Sequence, residues 1–181
     1  MLNKEPLLLK RFLPEKKKGF TFIELIITIF VLLIGVLAAF IAAQQPMRYT
    51  AFSISRLTAT YLAQEGIEIV RNIRDENWLN GNGWANGLNG CSEVDPGGGC
   101  QADYNDGRSF TSYDGSFLNI ENDSGLYGYG AGSPTKFKRK ITINPTGSDN
   151  AQVIVSVEWE EKGKGFKVEA RENLYNWAPG F

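Results

Sequence analysis

Lys16-Lys17-Lys18-Gly19-Phe20-Thr21-Phe22-Ile23-Glu24-Leu25 joins a basic leader to an apolar run that ends near Ala43, and the reading of this stretch decides the rest of the chain. A carboxylate, Glu24, stands just inside otherwise apolar sequence. An ionisable side chain within a membrane segment costs roughly 2.5–3.5 kcal/mol on insertion scales, so such residues usually have a partner and a function. As a helix, the run from Phe20 to Ala43 is ~36 Å long, enough to cross a hydrocarbon core of ~30 Å. Lys4, Lys10, Arg11 and Lys16 to Lys18 precede it and outweigh Glu5 and Glu15, although the whole chain carries a net charge of −1. Basic residues beside a span stay in the cytoplasm, so the pattern predicts a single pass with the N-terminus inside and the C-terminal part exported. In an ordinary secretory signal the apolar core comes before the cleavage site. Here the cationic stretch meets Gly19 and the apolar run follows, so a cut at Gly19 would leave the helix with the mature protein.

Composition narrows the remainder. The 181 residues, less a leader over 1–19 and a membrane or filament-core helix over 20–46, leave room for one modest head domain. That remainder is acidic overall, so it advertises no surface for nucleic acid. The chain has no His, which removes Ser-His-Asp and Cys-His catalysis and His-bearing zinc sites. Its Asp and Glu residues are scattered without a paired-carboxylate motif. The expectation is a protein that is not an enzyme and holds no cofactor or metal. The two cysteines, Cys91 and Cys100, lie in a Gly-rich loop of the part expected to be exported, where a disulfide is the expectation and two free thiols the alternative.

From Met47 to about Glu76 the chain reads as an amphipathic continuation of the helix, with Ile54, Leu57, Tyr61, Leu62, Ile69, Val70 and Ile73 recurring at threes and fours. Pro46 marks a possible bend and Gly35 a soft point or close-packing spot within the apolar part. Glu68 with Arg71, and Arg71 with Asp75, have the spacing of helix-surface ion pairs. Residues 77–134 read as a Gly/Asn-rich loop region, its Asn-Gly turns anchored by Trp78 and Trp84 as lids on the core. Asp103 to Gly107, DYNDG, lacks the spacing of a calcium loop and reads as a turn. Residues 135–181 carry the strands: Lys136–Asn144 and Gln152–Trp159 alternate apolar and polar, and Phe166–Tyr175 resumes after a turn over Lys162–Gly165. The fold class is α+β, with a long N-terminal helix laid on a small antiparallel sheet of three or four strands, the inward side of Leu57 to Ile73 covering it.

Two functional readings follow from these residues. In one, the long helix packs with copies of itself, and Glu24 pairs with the α-amino group that a cut before Phe20 would create, fixing axial register as subunits stack. In the other, the helix only anchors an exported binding module that never polymerises, and the Glu24 carboxylate is unexplained.

KKKGFTFIEL followed by an apolar stretch resembles the N-terminus of type IV pilins and pseudopilins. The resemblance implies a pilin-like fold, cleavage by prepilin peptidase between Gly19 and Phe20, N-methylation of Phe20, and for Glu24 the place of the family's assembly Glu. It implies as partners other pilin subunits, the peptidase, the assembly platform with its ATPase, and the membrane. The implied location is the inner membrane, then an extracellular pilus or a pseudopilus. The placing of Gly35 is similar to that in V-type minor pilins and in I-type minor pseudopilins of type II secretion. YLAQEGIEIVRNIRDENW, Tyr61 to Trp78, also looks like that group. Common major pilins usually have a Pro where this chain has Ile41, which favours a minor subunit over the main building block.

Overall fold

In the computed structural model, residues 19–104 and 110–177 are described; the leader lysines and the last part of DYNDG lie outside them. Helix α1 spans Phe22–Leu79. The strands are β1 (Cys100–Gln101), β2 (Thr111–Ser112), β3 (Asn119–Ile120), β4 (Tyr127–Gly128), β5 (Ser133–Pro134), β6 (Phe137–Pro145), β7 (Asn150–Glu161) and β8 (Lys164–Tyr175). The protein is α+β and pilin-like, a long N-terminal helix whose later part packs against antiparallel sheets. The chain divides into two units at Met47 and Arg48, and α1 contributes to both.

In the first unit every residue from Gly19 to Gln44 is exposed. Apolar side chains around the whole circumference give a helix that is long and apolar enough to cross a membrane. Helical structure runs through Pro46.

In the second unit the sheet explains the helix. Order β2-β1-β6-β7-β8 makes a five-stranded antiparallel sheet, and β4-β3-β5 a smaller one. The alternation read from the sequence places Phe137, Arg139, Ile141 and Ile143 of β6 on the face that also carries Val153, Val155, Val157 and Trp159 of β7, all buried. Register aligns Phe137, Trp159 and Phe166 in one row and Ile141, Val155 and Ala170 in another. Phe52 of α1 closes the aromatic row, its ring 4.8 Å from that of Phe166. The β7–β8 hairpin turns on Lys162 and Gly163 alone, since Glu161 already pairs with Lys164; the turn is tighter than the expected Lys162–Gly165. The sheet is also wider than expected. Residues 77–134 are not a plain loop region, because β1 pairs with β6 at Cys100 and Ile141 and carries β2 beyond it. The Cys91–Cys100 disulfide, with Cα atoms 5.0 Å apart, joins the start of β1 to the loop before it, and Ile143 donates its N–H to the Cys91 carbonyl at 2.8 Å. A small closed loop of this kind is worth ~2–3 kcal/mol.

The expected helix face holds in part: Leu62, Val70 and Ile73 are buried and Ile69 packs on the core, but the start of the stripe turns outward. Ser55, Ala59, Leu62, Ala63, Ile67, Val70, Ile73, Arg74 and Asn77 are buried, whereas Ile54, Leu57 and Tyr61 are 60%, 55% and 62% exposed. Small residues explain the choice. A Cβ added to Gly66 would lie 2.7 Å from Cγ1 and 3.2 Å from Cγ2 of Val155, so the backbone of α1 rests directly on β7. Of the two expected surface pairs, Glu68 with Arg71 forms, and Arg71 also reaches Glu172 of β8; Asp75 is taken by Arg74 instead of Arg71. The helix also passes Glu76 before it ends. Gly81, at φ 67°, occupies the left-handed position after the helix, while Asn82 N–H bonds the Asn77 carbonyl at 2.8 Å and Gly81 N–H that of Trp78 at 3.1 Å. This is the Schellman arrangement, which satisfies carbonyls the helix leaves open.

Gly66→Ala tests the close approach. Helix propensity favours Ala by about 1 kcal/mol, but Val155 is wholly buried and β-branched, and forced overpacking costs about 1–3 kcal/mol. Urea unfolding of the full chain in detergent, followed by Trp fluorescence, is expected to show a net loss for Gly66→Ala and a larger one for Gly66→Leu. A gain for Ala would mean that the helix can stand off from β7.

Candidate functional site

At the start of the first unit, Gly19 and Phe20 lie outside the helix and are exposed. Thr21 precedes the first helical residue. Its carbonyl accepts the Leu25 N–H at 3.1 Å and its hydroxyl accepts the Glu24 N–H at 3.3 Å. Thr21 is therefore the N-cap, and Glu24, in the first helical turn, stands at the third helical position. Thr-x-x-Glu is the capping-box spacing, whose hydroxyl half is made here. The Glu24 carboxylate makes no hydrogen bond or ion pair among the described residues. It lies where the helix dipole favours negative charge. The sequence expectations above do not include this capping role, although Thr21-Phe22-Ile23-Glu24 carries its signal.

The other candidates of this unit stay apart. Gly35 lies about 16 Å along the axis from Glu24 at the ordinary helical rise, and a Cβ added to it would meet nothing within 4 Å. No packing within the described chain requires glycine there. Pro46 lies inside the helix.

A family model described as the prokaryotic N-terminal methylation motif matches residues 15–40. The chain carries the type IV prepilin signature. The match takes in Gly19, Phe20, Thr21, Glu24 and Gly35 and ends before Pro46. No curated protein and no solved structure matches the chain.

The head contains a feature the alternation pattern concealed. Arg139, on the apolar face of β6, has no exposed surface. Its Nη2 donates to the Ala102 carbonyl at 2.8 Å and its Nη1 to the Leu62 carbonyl of α1 at 3.4 Å, with Glu65 Oε2 also 3.4 Å from Nη1. The guanidinium thus ties helix, β6 and the segment after β1 together. Tyr129 donates its hydroxyl to the Arg139 carbonyl at 3.0 Å, and burial pushes the Tyr129 phenol up to about 12. The Trp residues sit as lids. Trp78 donates its indole N–H to Asn176 Oδ1 at 3.1 Å under the Arg74 guanidinium, 4.7 Å from the ring centre, and Trp84 packs on the core.

Removing the buried cation tests the tie. Arg139→Ala leaves the Ala102 and Leu62 carbonyls without their donor and opens a cavity, and losses of about 3–5 kcal/mol are typical of breaking such a buried network. Glu65→Gln keeps a carbonyl oxygen beside Nη1 but removes the countercharge of a wholly buried cation, so a smaller loss of about 1–3 kcal/mol is expected. Equal losses in urea unfolding would contradict the assignment. Tyr129 makes a pH prediction. Unfolded Tyr releases its proton near 10, whereas the folded phenol holds it to about 12. The folded state therefore binds more protons in this window, and stability falls as pH rises through it. In unfolding midpoints measured across the window, Tyr129→Phe should show a smaller fall than the wild type.

Proposed function

We propose that the chain is a structural subunit, and a minor one, of a type IV pilus or a type II secretion-like pseudopilus. One observation carries the reading: the prepilin signature over residues 15–40 coincides with an apolar helical segment exposed on all sides and bearing a carboxylate without a partner among the described residues. Prepilin peptidase cuts between Gly19 and Phe20, and Phe20 is N-methylated. The precursor waits in the inner membrane with its leader in the cytoplasm and its head exported. An assembly platform with its ATPase then draws the helix into a filament core of packed apolar helices. There the Glu24 carboxylate pairs with the Phe20 amine of a neighbouring subunit. Low dielectric strengthens that attraction and penalises an unpaired Glu24, so the pair sets axial register. Ile41, in place of the Pro usual in major pilins, supports the minor role.

The mature mass tests processing: loss of residues 1–19 with the gain of one methyl group is expected. An intact N-terminus would favour a membrane-anchored binding module that does not polymerise. A bulky residue at Gly19 should leave the chain uncut. Glu24→Ala should insert and be cut normally yet be missing from purified filaments, and its presence there at wild-type levels would refute the register role.

A further inference from the structure

We infer that Thr21 is a positioning residue for processing: by capping α1 it ends the helix before the Gly19–Phe20 bond and keeps that bond in non-helical chain. The inference rests on the reading of Gly19–Phe20 as the bond that is cut. Hydrolysis adds water across it, leaving a carboxylate on Gly19 and an amine on Phe20. A peptidase must reach both the carbonyl and the N–H of the bond it cuts. Were α1 to continue upstream, the Gly19 carbonyl would accept the Ile23 N–H, and the Phe20 N–H would be tied to the carbonyl of Lys16. Both groups would then be withheld from an incoming active site.

The sequence upstream gives a helix little reason to stop. Glu15 and Lys16 to Lys18 are good helix formers, Gly19 opposes helix by only about 1 kcal/mol, and extending a formed helix avoids the cost of nucleation. The stop lies at Thr21. Its backbone is outside the helix, and its hydroxyl takes the Glu24 N–H that would otherwise be bonded to the carbonyl of Phe20 in a longer helix. Three further residues carry the pattern of a helix boundary. Glu24 stands at the reciprocal position of a capping box, and Phe20 and Leu25 have the spacing of the hydrophobic pair that brackets a cap. The residues around the cut thus coincide with a complete helix-start signal. After the cut, the new amine lies one residue outside the cap, at a place set relative to Glu24 by the same hydrogen bond.

The test uses the full-length precursor in membranes with prepilin peptidase, following cleavage over time by mass spectrometry. Thr21→Ala is expected to slow cleavage about fivefold, the scale of losing a capping oxygen. Thr21→Ser and Thr21→Asn, which keep such an oxygen, should return it to near the wild-type rate. In detergent, amide hydrogen exchange at Ile23 should slow in Thr21→Ala as its N–H gains the Gly19 carbonyl, and should be as fast as wild type in Thr21→Ser. Wild-type cleavage of Thr21→Ala would overturn the inference. So would Ser and Asn variants as slow as Ala, since the enzyme would then be reading threonine itself. If the wild-type chain is not cut after Gly19, the processing reading fails and this inference fails with it; normal cutting of the wild type with an indifferent Thr21 fails the inference alone.

Discussion

Where α1 crosses the sheet, the room for a methyl group at Gly66 is already taken by Val155, whose Cγ1 lies 2.7 Å from where Cβ would stand. A helix held that closely must present small side chains along the contact, and Ala59, Ala63 and Gly66 supply them. Its larger residues then flank the line of approach or turn away. Leu62, Ile67, Val70 and Ile73 fill the space on either side of the crossing, while Ile54, Leu57 and Tyr61 point outward. The row beneath Gly66 is correspondingly slight, Ile141 beside Val155 beside Ala170, and the bulk of the sheet is moved to its end, where Phe137, Trp159 and Phe166 meet Phe52.

Close approach also accounts for the buried arginine. A backbone lying on the sheet brings helix carbonyls into an interior without water, and Arg139 reaches that of Leu62 from below while holding the Ala102 carbonyl. A cation so placed would be costly if isolated. Glu65 stands beside Nη1, the two carbonyls accept from Nη1 and Nη2, and the buried Nε has no partner among the described residues. The Cδ of Arg139 lies 3.3 Å from where a Gly66 Cβ would be, so the glycine makes room for the arginine as well as for Val155. One absent side chain thus permits both the apolar and the polar halves of the helix–sheet contact.

What the sequence discloses follows the strength of its periodic signals. The long strands were legible because Phe137, Ile141 and Ile143, and Val153 to Trp159, alternate without interruption, and their burial follows that alternation. Arg139 was legible as a face position but not as a buried group, since nothing local to β6 shows Leu62 and Ala102 arriving above it. The helix stripe departs from its periodicity only at its start, for a related reason. Ile54, Leu57 and Tyr61 have the spacing of a core stripe, but the nearness of β7 rewards Ala and Gly, which a search for large apolar residues overlooks. The strands within 77–134 are two residues long. They exist because β6 and the disulfide hold the segment in place, and pairing of that kind leaves no periodicity. At the candidate site Gly19, Phe20 and Glu24 could be singled out by residue type and spacing. Thr21 is harder to single out, because Thr-x-x-Glu spacing is common and only the helix start at Phe22 makes it a cap.

The two properties of Glu24 are compatible for a geometric reason. Capping consumes the backbone N–H of Glu24 and the hydroxyl of Thr21, and leaves the carboxylate unengaged among the described residues. The same turn can therefore fix where the helix starts and still present an unpaired anion from its first turn. A carboxylate deeper in the helix would meet the full cost of an apolar environment and gain nothing from the helix dipole. At the third helical position the Glu24 backbone N–H bonds the Thr21 hydroxyl, and the Glu24 carboxylate keeps the favour of the dipole. That position also ties any intermolecular role of the carboxylate to an intramolecular one of the backbone, so the point from which register would be measured is set by the helix cap.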